Sequence, residues 1–305
     1  LGPFKPDHLK VDITQGCGST FTYAGQPFGI TVSALNALNA VTQNYDGSTF
    51  TSPNYAKAIT LTATGSGTSA GSLSNVSFAA SAIRNGQGSI TTPTFAFTNK
   101  LTAPTSVVVH AVDGDGIASI AAQDGVVALR SGRLRVSNAY GASRTALAVP
   151  VQAQYWHANK LWVLNSVDSC TVIPYKAVSL TNFRDQKGAY MAGFIPTSAN
   201  SAYVSGITLT GGNGTLTLTP NAAVTGTVDF AINLGSGTSD SSCLTVTGSD
   251  SRPATVGAAL PWLQAQNGGA GVCAGSGFDR DPSGRATFGV FQPETRRAVF
   301  SREMY

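Results

Sequence analysis

Hydrophobic side chains recur at every second position through most of this chain, and hardly anywhere at the three-to-four spacing that one face of a helix demands. In Gly25-Gln-Pro-Phe-Gly-Ile-Thr-Val-Ser-Ala, Phe28, Ile30 and Val32 alternate with small or polar residues, as a strand with one buried face does. Stretches 58–64, 76–82, 94–98 and 107–112 repeat the pattern and are separated by Gly/Ser-rich turns. Period-two patterning of this extent confines the chain to an all-β class, and the strand spacing predicts an antiparallel β-sandwich over positions 16–126.

A length of 305 residues accommodates two domains, and a second β-sandwich is expected over 127–305. Leu134 and Val136 face one way and Arg133 and Arg135 the other. Val149, Val151, Ala153 and Tyr155 line one side of the next strand, with Gln152, Gln154 and Trp156 opposite. Tyr155 and Trp162 read as packing aromatics. Ile207-Thr-Leu-Thr-Gly-Gly-Asn-Gly-Thr-Leu-Thr-Leu-Thr predicts a hairpin whose turn uses the positive φ open to glycine between 211 and 214. The one helix candidate is 253–260, with proline in its first turn and Pro261 to stop it. Residues 286–291 and 297–302 predict a closing hairpin around Gln292-Pro-Glu-Thr295. Ahead of the first clear strand, residues 1–15 are rich in Pro and Lys and are expected to dock on a neighbouring subunit through strand addition.

Charged residues make up only 11% of the chain, against roughly a quarter in ordinary soluble proteins. Hydroxyls, amides and backbone must therefore cover the surface, which suits secreted proteins and sheets packed into assemblies. The net charge of +4 is spread thinly and excludes a nucleic-acid footprint. Arg280, Arg285, Arg296, Arg297 and Arg302 crowd the last strands and read as solvated strand edges. No run of about eighteen apolar residues exists, so no membrane-spanning helix is expected. Leu1 follows no charged-then-apolar leader, so the chain reads as a processed or excised piece. The four cysteines, Cys17, Cys170, Cys243 and Cys273, lack the spacing of a zinc site. They are disulfide candidates, in any of three pairings, and imply an oxidising compartment.

Reactive constellations are sparse. Three histidines, His8, His110 and His157, limit imidazole chemistry. Gly67-Thr-Ser-Ala-Gly71 matches a nucleophile-elbow pattern but lacks the strand-to-helix turn that presents the serine. His157, Ser166 and Asp168 lie near one another in sequence without any nominated oxyanion donors. Asp113 with Asp115, and Asp279 with Asp281, are pairs that a Ca²⁺ site would use, although plain turns use them as well. No other cofactor is expected, and no enzymatic activity. Trp156 and Trp262 are the aromatic groups best suited to stacking on a sugar.

Ala24-Gly-Gln-Pro-Phe, the strand after it and Asn44-Tyr-Asp-Gly resemble the opening of bacterial immunoglobulin-like repeats of surface adhesins. Gly132-Arg-Leu-Arg-Val-Ser-Asn-Ala-Tyr-Gly141, Pro150-Val-Gln-Ala-Gln-Tyr-Trp156, Asp168-Ser-Cys-Thr171, Ala286-Thr-Phe-Gly-Val-Phe291 and Arg302-Glu-Met-Tyr305 resemble the C-terminal region of MshQ-like proteins. These are bacterial surface proteins associated with MSHA-type pili. Where Glu and aliphatic residues usually follow the Asn-Ala-Tyr-Gly motif, this chain has Ala142-Ser-Arg-Thr145. The resemblance implies tandem immunoglobulin-like sandwiches at the surface of a Gram-negative bacterium, acting as a pilus-associated adhesin segment or a fibre subunit. It implies partners that are other pilus subunits or copies of the chain, and a lectin-like domain elsewhere. A carbohydrate-binding module that engages surface glycans is the alternative reading.

Overall fold

The computed structural model of the protein describes residues 5–48, 55–65, 69–196, 201–248, 250–266 and 277–289. These residues hold twenty strands and no α-helix. The first ten are β1 (His8–Thr14), β2 (Thr22–Tyr23), β3 (Gly29–Leu35), β4 (Ile59–Thr64), β5 (Gly71–Leu73), β6 (Ser77–Phe78), β7 (Gln87–Ile90), β8 (Phe95–Phe97), β9 (Thr105–Asp113) and β10 (Gly125–Arg130). The second ten are β11 (Gly132–Val136), β12 (Ala139–Gly141), β13 (Leu147–His157), β14 (Leu161–Leu164), β15 (Val172–Ile173), β16 (Val178–Asp185), β17 (Ile207–Thr208), β18 (Asn213–Leu218), β19 (Gly226–Ile232) and β20 (Ser283–Phe288).

In the first half a three-stranded sheet, β1-β3-β7, and a five-stranded sheet, β2-β10-β9-β4-β6, bury their inner faces against one core. Leu9, Val11, Ile30 and Val32 come from the smaller sheet, and Leu61, Val107, Val109 and Val127 from the larger. The alternation read from the sequence thus marks the inward positions, as the two-residue repeat of a pleated strand dictates. In the second half β13 is the central strand of one sheet, flanked by β11 on one side and by β14 and β18 end to end on the other. The facing sheet runs β12-β20-β19-β16. Val149, Val151, Leu216 and Leu218 meet Leu180, Val228, Phe230 and Phe288 in the second core. Among the named strands pairing is antiparallel except at two short contacts, β2 with β10 and β12 with β20. The partners in each are separated by long stretches of chain, so hairpin geometry does not impose its direction on them.

Three local expectations are corrected. The 253–260 segment is irregular rather than helical, because its amides are taken by neighbouring chain. Val256 N–H donates to Lys176 O, Ala258 N–H to Asn233 O and Leu260 N–H to Leu234 O. Pro261 then opens a 3-10 turn, Pro261–Leu263, instead of ending a helix. The stretch 76–82 yields only the short β6, followed by a second 3-10 turn at Ala80–Ala82. The glycine turn after Ile207 has positive φ at Gly211 and Gly212 as expected. Thr210 and Asn213 exchange both backbone hydrogen bonds across it and the arms meet again where Val204 bridges Leu218, so the hairpin forms, with β17 and β18 pairing in addition to β15 and β13. The closing hairpin expected beyond residue 289 lies outside the described residues.

The third correction concerns the expected docking segment. His8–Thr14 is β1, in register with β3 from His8 opposite Leu35 to Thr14 opposite Gly29. Its other edge is also occupied, since Leu9 N–H donates to Ala118 O and Val11 N–H to Gln123 O. Leu9 is fully buried. This stretch is a core strand of its own chain and has no free edge to offer a neighbour.

The turn after β3 is held by Asp46, whose carboxyl group accepts Ser48 N–H at 2.6 Å and Asn85 N–H at 2.9 Å. The Asn85 amide first, and then that of Ser48, lowers its pKa to about 2.

Two outcomes follow. Leu9→Ala should lower the stability of the whole chain by about 2–5 kcal/mol in urea unfolding, whereas a mere docking arm would leave the midpoint unmoved. A carboxyl group with a lowered folded pKa stabilises above its unfolded value and loses that contribution as pH falls through the folded one. The stability difference between the chain and Asp46→Asn should therefore hold at pH 5 and fade as pH drops toward about 2. A difference that grows on acidification would contradict the assignment.

Candidate functional site

The most heavily built polar site lies where the two cores meet. After β1 the chain leaves the first sheet, and Cys17, Phe21 and Tyr23 enter the second core rather than the first. The segment is shaped by Gln26, whose side chain accepts Tyr23 N–H at 2.9 Å and donates to Gly16 O at 2.9 Å. Beside it β10 runs into β11 across Ser131, with Leu129 in the first core and Leu134 in the second. Gly132 is required at the crossing, because a Cβ there would sit 2.4 Å from the Tyr23 ring.

Cys17 and Cys170 are joined in a disulfide across this junction. Next to it the Asp168 carboxyl group is fully buried. It accepts the Tyr23 hydroxyl at 2.7 Å, the Thr171 hydroxyl at 2.8 Å, Thr171 N–H at 3.1 Å and Cys170 N–H at 3.2 Å. Asn165 donates to the Tyr23 oxygen at 2.7 Å and accepts from Arg130 at 2.5 Å. The Arg130 guanidinium stacks on Phe21 and Tyr155, at 5.1 Å and 4.8 Å from the ring centroids. Burial, and next the Asp168 carboxyl group, push the Tyr23 phenol well above its ordinary value. Cys17, Asp168 and Cys170 form the one trio of metal-ligand types that converges among the described residues. The two sulfurs are bonded to each other, so neither is a thiolate free to bind a cation.

The remaining sequence candidates are dispersed. Asp168 is taken up in the junction, so it does not serve His157 and Ser166. Asp113 accepts the Tyr45 hydroxyl at 2.6 Å, Ile117 N–H at 2.8 Å and Asp115 N–H at 2.9 Å, and Asp115 pairs with Lys5. This is a self-bonded turn. Asp281 is fully buried and accepts Ser241 N–H, Leu234 N–H and the Gln264 amide, while Asp279 faces solvent beside Arg280. Neither aspartate pair joins a convergent ligand trio among the described residues. Arg285 clamps Asp229, and the other C-terminal arginines, 296, 297 and 302, lie outside the described residues. Cys243 is disulfide-bonded, and Cys273 lies outside the described residues. Trp262 is wedged between the domains, with its indole nitrogen buried and its carbonyl oxygen accepting the Lys100 ammonium at 2.6 Å. Burial pushes that ammonium down to about 8. Trp156 instead lies on the outward face of β13.

One cluster was not read from the sequence. Ser119, His110 and Asp124 meet beside β9, but His110 Nδ1 faces both Asp124 at 2.8 Å and Ser119 at 2.9 Å, and the serine hydroxyl donates directly to Asp124. A hydroxyl-activating relay needs the serine and the carboxylate on opposite ring nitrogens. The Ser119 oxygen also accepts Ala111 N–H, so the cluster ties a loop to the strand. A groove of about 450 Å³ between the ends of β1, β3 and β7 is lined by backbone, hydroxyl, amide and apolar groups, with no titratable side chain.

Residues 1–131 match the family model for DUF6701, third domain, and residues 130–304 that for DUF6701, fourth domain. No curated protein matches the chain. Among solved structures, it is similar to the titin domains Z1Z2 in complex with telethonin at 12% identity, covering 81% of this chain and 96% of that one with a TM-score of 0.16. It is similar also to a structure described as BspA_C_mut at 10% identity, covering 84% and 98% with a TM-score of 0.23. Superposition that poor leaves the fold resting on the strand pairing described above.

Removing the junction disulfide with Cys17→Ser and Cys170→Ser together should cost roughly 2–5 kcal/mol in denaturant unfolding. An unchanged midpoint would show that the noncovalent network alone fixes the two cores.

Proposed function

The chain belongs to the DUF6701 family, as its third domain followed by its fourth, and from that premise we propose that it is a non-enzymatic structural segment of an extracellular bacterial protein. The resemblance to the C-terminal region of MshQ-like proteins supports a pilus-associated, adhesive setting. The observation that carries the reading is the junction, where a disulfide, a buried carboxyl group and an arginine stacked between two rings are spent on fixing one sandwich against the next. Rigid coupling of successive modules is what a spacer or fibre segment needs. A catalytic domain would instead gather such groups around an open cleft. Oxidised cysteines fit an oxidising compartment.

Assembly through a strand edge, if the segment polymerises, would use β14, which pairs with β13 alone among the described strands and exposes Leu161 and Leu164. The alternative, a carbohydrate-binding module, is favoured by the outward position of Trp156 with Trp162 at its side.

Deleting this segment from the protein that carries it should reduce bacterial adherence, and the intact protein should be recovered from sheared cell-surface material with its cysteines inaccessible to maleimide. Recovery from the cytoplasm with reactive thiols, together with undiminished adherence, would overturn the reading.

A further inference from the structure

The sheet built on β13 is cut from two stretches of chain, 125–167 and 186–228, that contain no aspartate or glutamate at all. Its outward face is cationic by composition and has no internal counter-charge. Alternation places Gln152, Gln154 and Trp156 of β13 on that face. The register puts Arg135 opposite Gln152, Arg133 opposite Gln154, and Trp162 opposite Trp156. Asn213 of β18 flanks Gln152 on the other side.

These side chains are already ordered. Arg133 Nε donates to Gln154 at 2.8 Å, Gln154 to Gln152 at 3.4 Å, and Gln152 to Asn213 at 3.1 Å, a polar ladder across three strands. The Arg133 guanidinium stacks on Trp162 at 4.6 Å, and Trp162 meets Trp156 edge to face at 5.4 Å. Neither Arg133 nor Arg135 has an ion-pair partner among the described residues. Desolvation, and then the charge of Arg135, push Arg133 down to about 10. Two neighbouring guanidinium groups without a carboxylate are suited to an anion, and the planar fork of arginine suits a carboxylate in particular. The amide ladder offers paired donors and acceptors, which match sugar hydroxyls. Nucleic acid would call for a longer track of cations than this one sheet provides.

We propose that this outward face of β11, β13 and β18 binds a carboxylated saccharide. Arg135 and Arg133 take the carboxylate, Gln152 and Asn213 the hydroxyls, and Trp156 the apolar face of a sugar ring. The inference depends on this face alone and stands or falls independently of the structural role proposed above.

Calorimetric titration of the whole chain with trigalacturonate and with sialyllactose, and with maltotriose and lactose as neutral controls, tests it. At least one acidic saccharide should bind, at least about tenfold more tightly than its neutral control. Arg135→Gln should weaken that binding by at least about tenfold with an unchanged melting temperature, because the Arg135 side chain is exposed and has no ion-pair partner among the described residues. Trp156→Ala should weaken both. Absence of binding at millimolar saccharide, equal affinity for acidic and neutral sugars, or full binding by Arg135→Gln would each overturn the proposal. So would duplex DNA or phosphatidylglycerol vesicles binding as tightly as the saccharide, which would make the face a general polyanion surface.

Discussion

A carboxyl group sealed from water must be met by donors on every side, or it costs more than the fold can sustain. Asp168 is such a group, and its donors come from both halves of the chain, with Tyr23 reaching in from the first and Thr171 and Cys170 closing from the second. The surrounding geometry follows from that requirement. Tyr23 must lie flat against the β10–β11 crossing, so the crossing residue is Gly132. The side chains of Cys17, Phe21 and Tyr23 must turn away from the first core, so they pack with the other one while β2 stays paired to β10. The disulfide then fixes covalently what the hydrogen bonds have already positioned.

The second sandwich uses the same economy at its edge strand. Asn182 sits at a bulge in β16 with φ of +56°, which turns its side chain to Thr245 O, Thr247 N–H and Asp229. Arg184 adds bonds to Thr247 and Asp250, and Arg252 reaches Asp240. A stretch of chain with no regular structure is thereby fastened to a sheet edge by side chains in place of a backbone ladder. This accounts for the burial of polar residues such as Asp229, Asp240 and Asn182 in so weakly charged a protein.

The strands were legible because burial of one face leaves a two-residue signature that does not depend on partners, as in Phe28-Gly-Ile-Thr-Val or Val149 to Tyr155. The assignment of Arg133 and Arg135 to a face opposite Leu134 came from the same rule. What was not legible depended on distant chain. The amides of 253–260 could have served a helix, and only the carbonyls of Lys176, Asn233 and Leu234 decide otherwise. Lys and Pro near the start suggested a free arm, while Leu9 and Val11 already carried the alternation of a core strand. Pairing of Cys17 with Cys170 had two rivals that no spacing rule removes. Asp168 stood out only beside His157 and Ser166, since nothing local announces that Tyr23 will cover it. The acid-free stretches behind the β13 sheet were visible in the letters alone, but their meaning needed the register that gathers Arg133, Arg135 and the two tryptophans on one side.

The bond between Cys17 and Cys170 closes a loop over a sequence separation of 153 residues, and every strand from β2 to β14 lies inside that loop. Tension that enters the chain ahead of Cys17 and leaves it beyond Cys170 passes from sulfur to sulfur and bypasses those strands. Roughly 500 Å of contour is thereby withheld from extension. Of the first sandwich only β1 stands in the line of pull, so the module can yield by the peeling of a single strand and recoil without its remaining sheets having been drawn out.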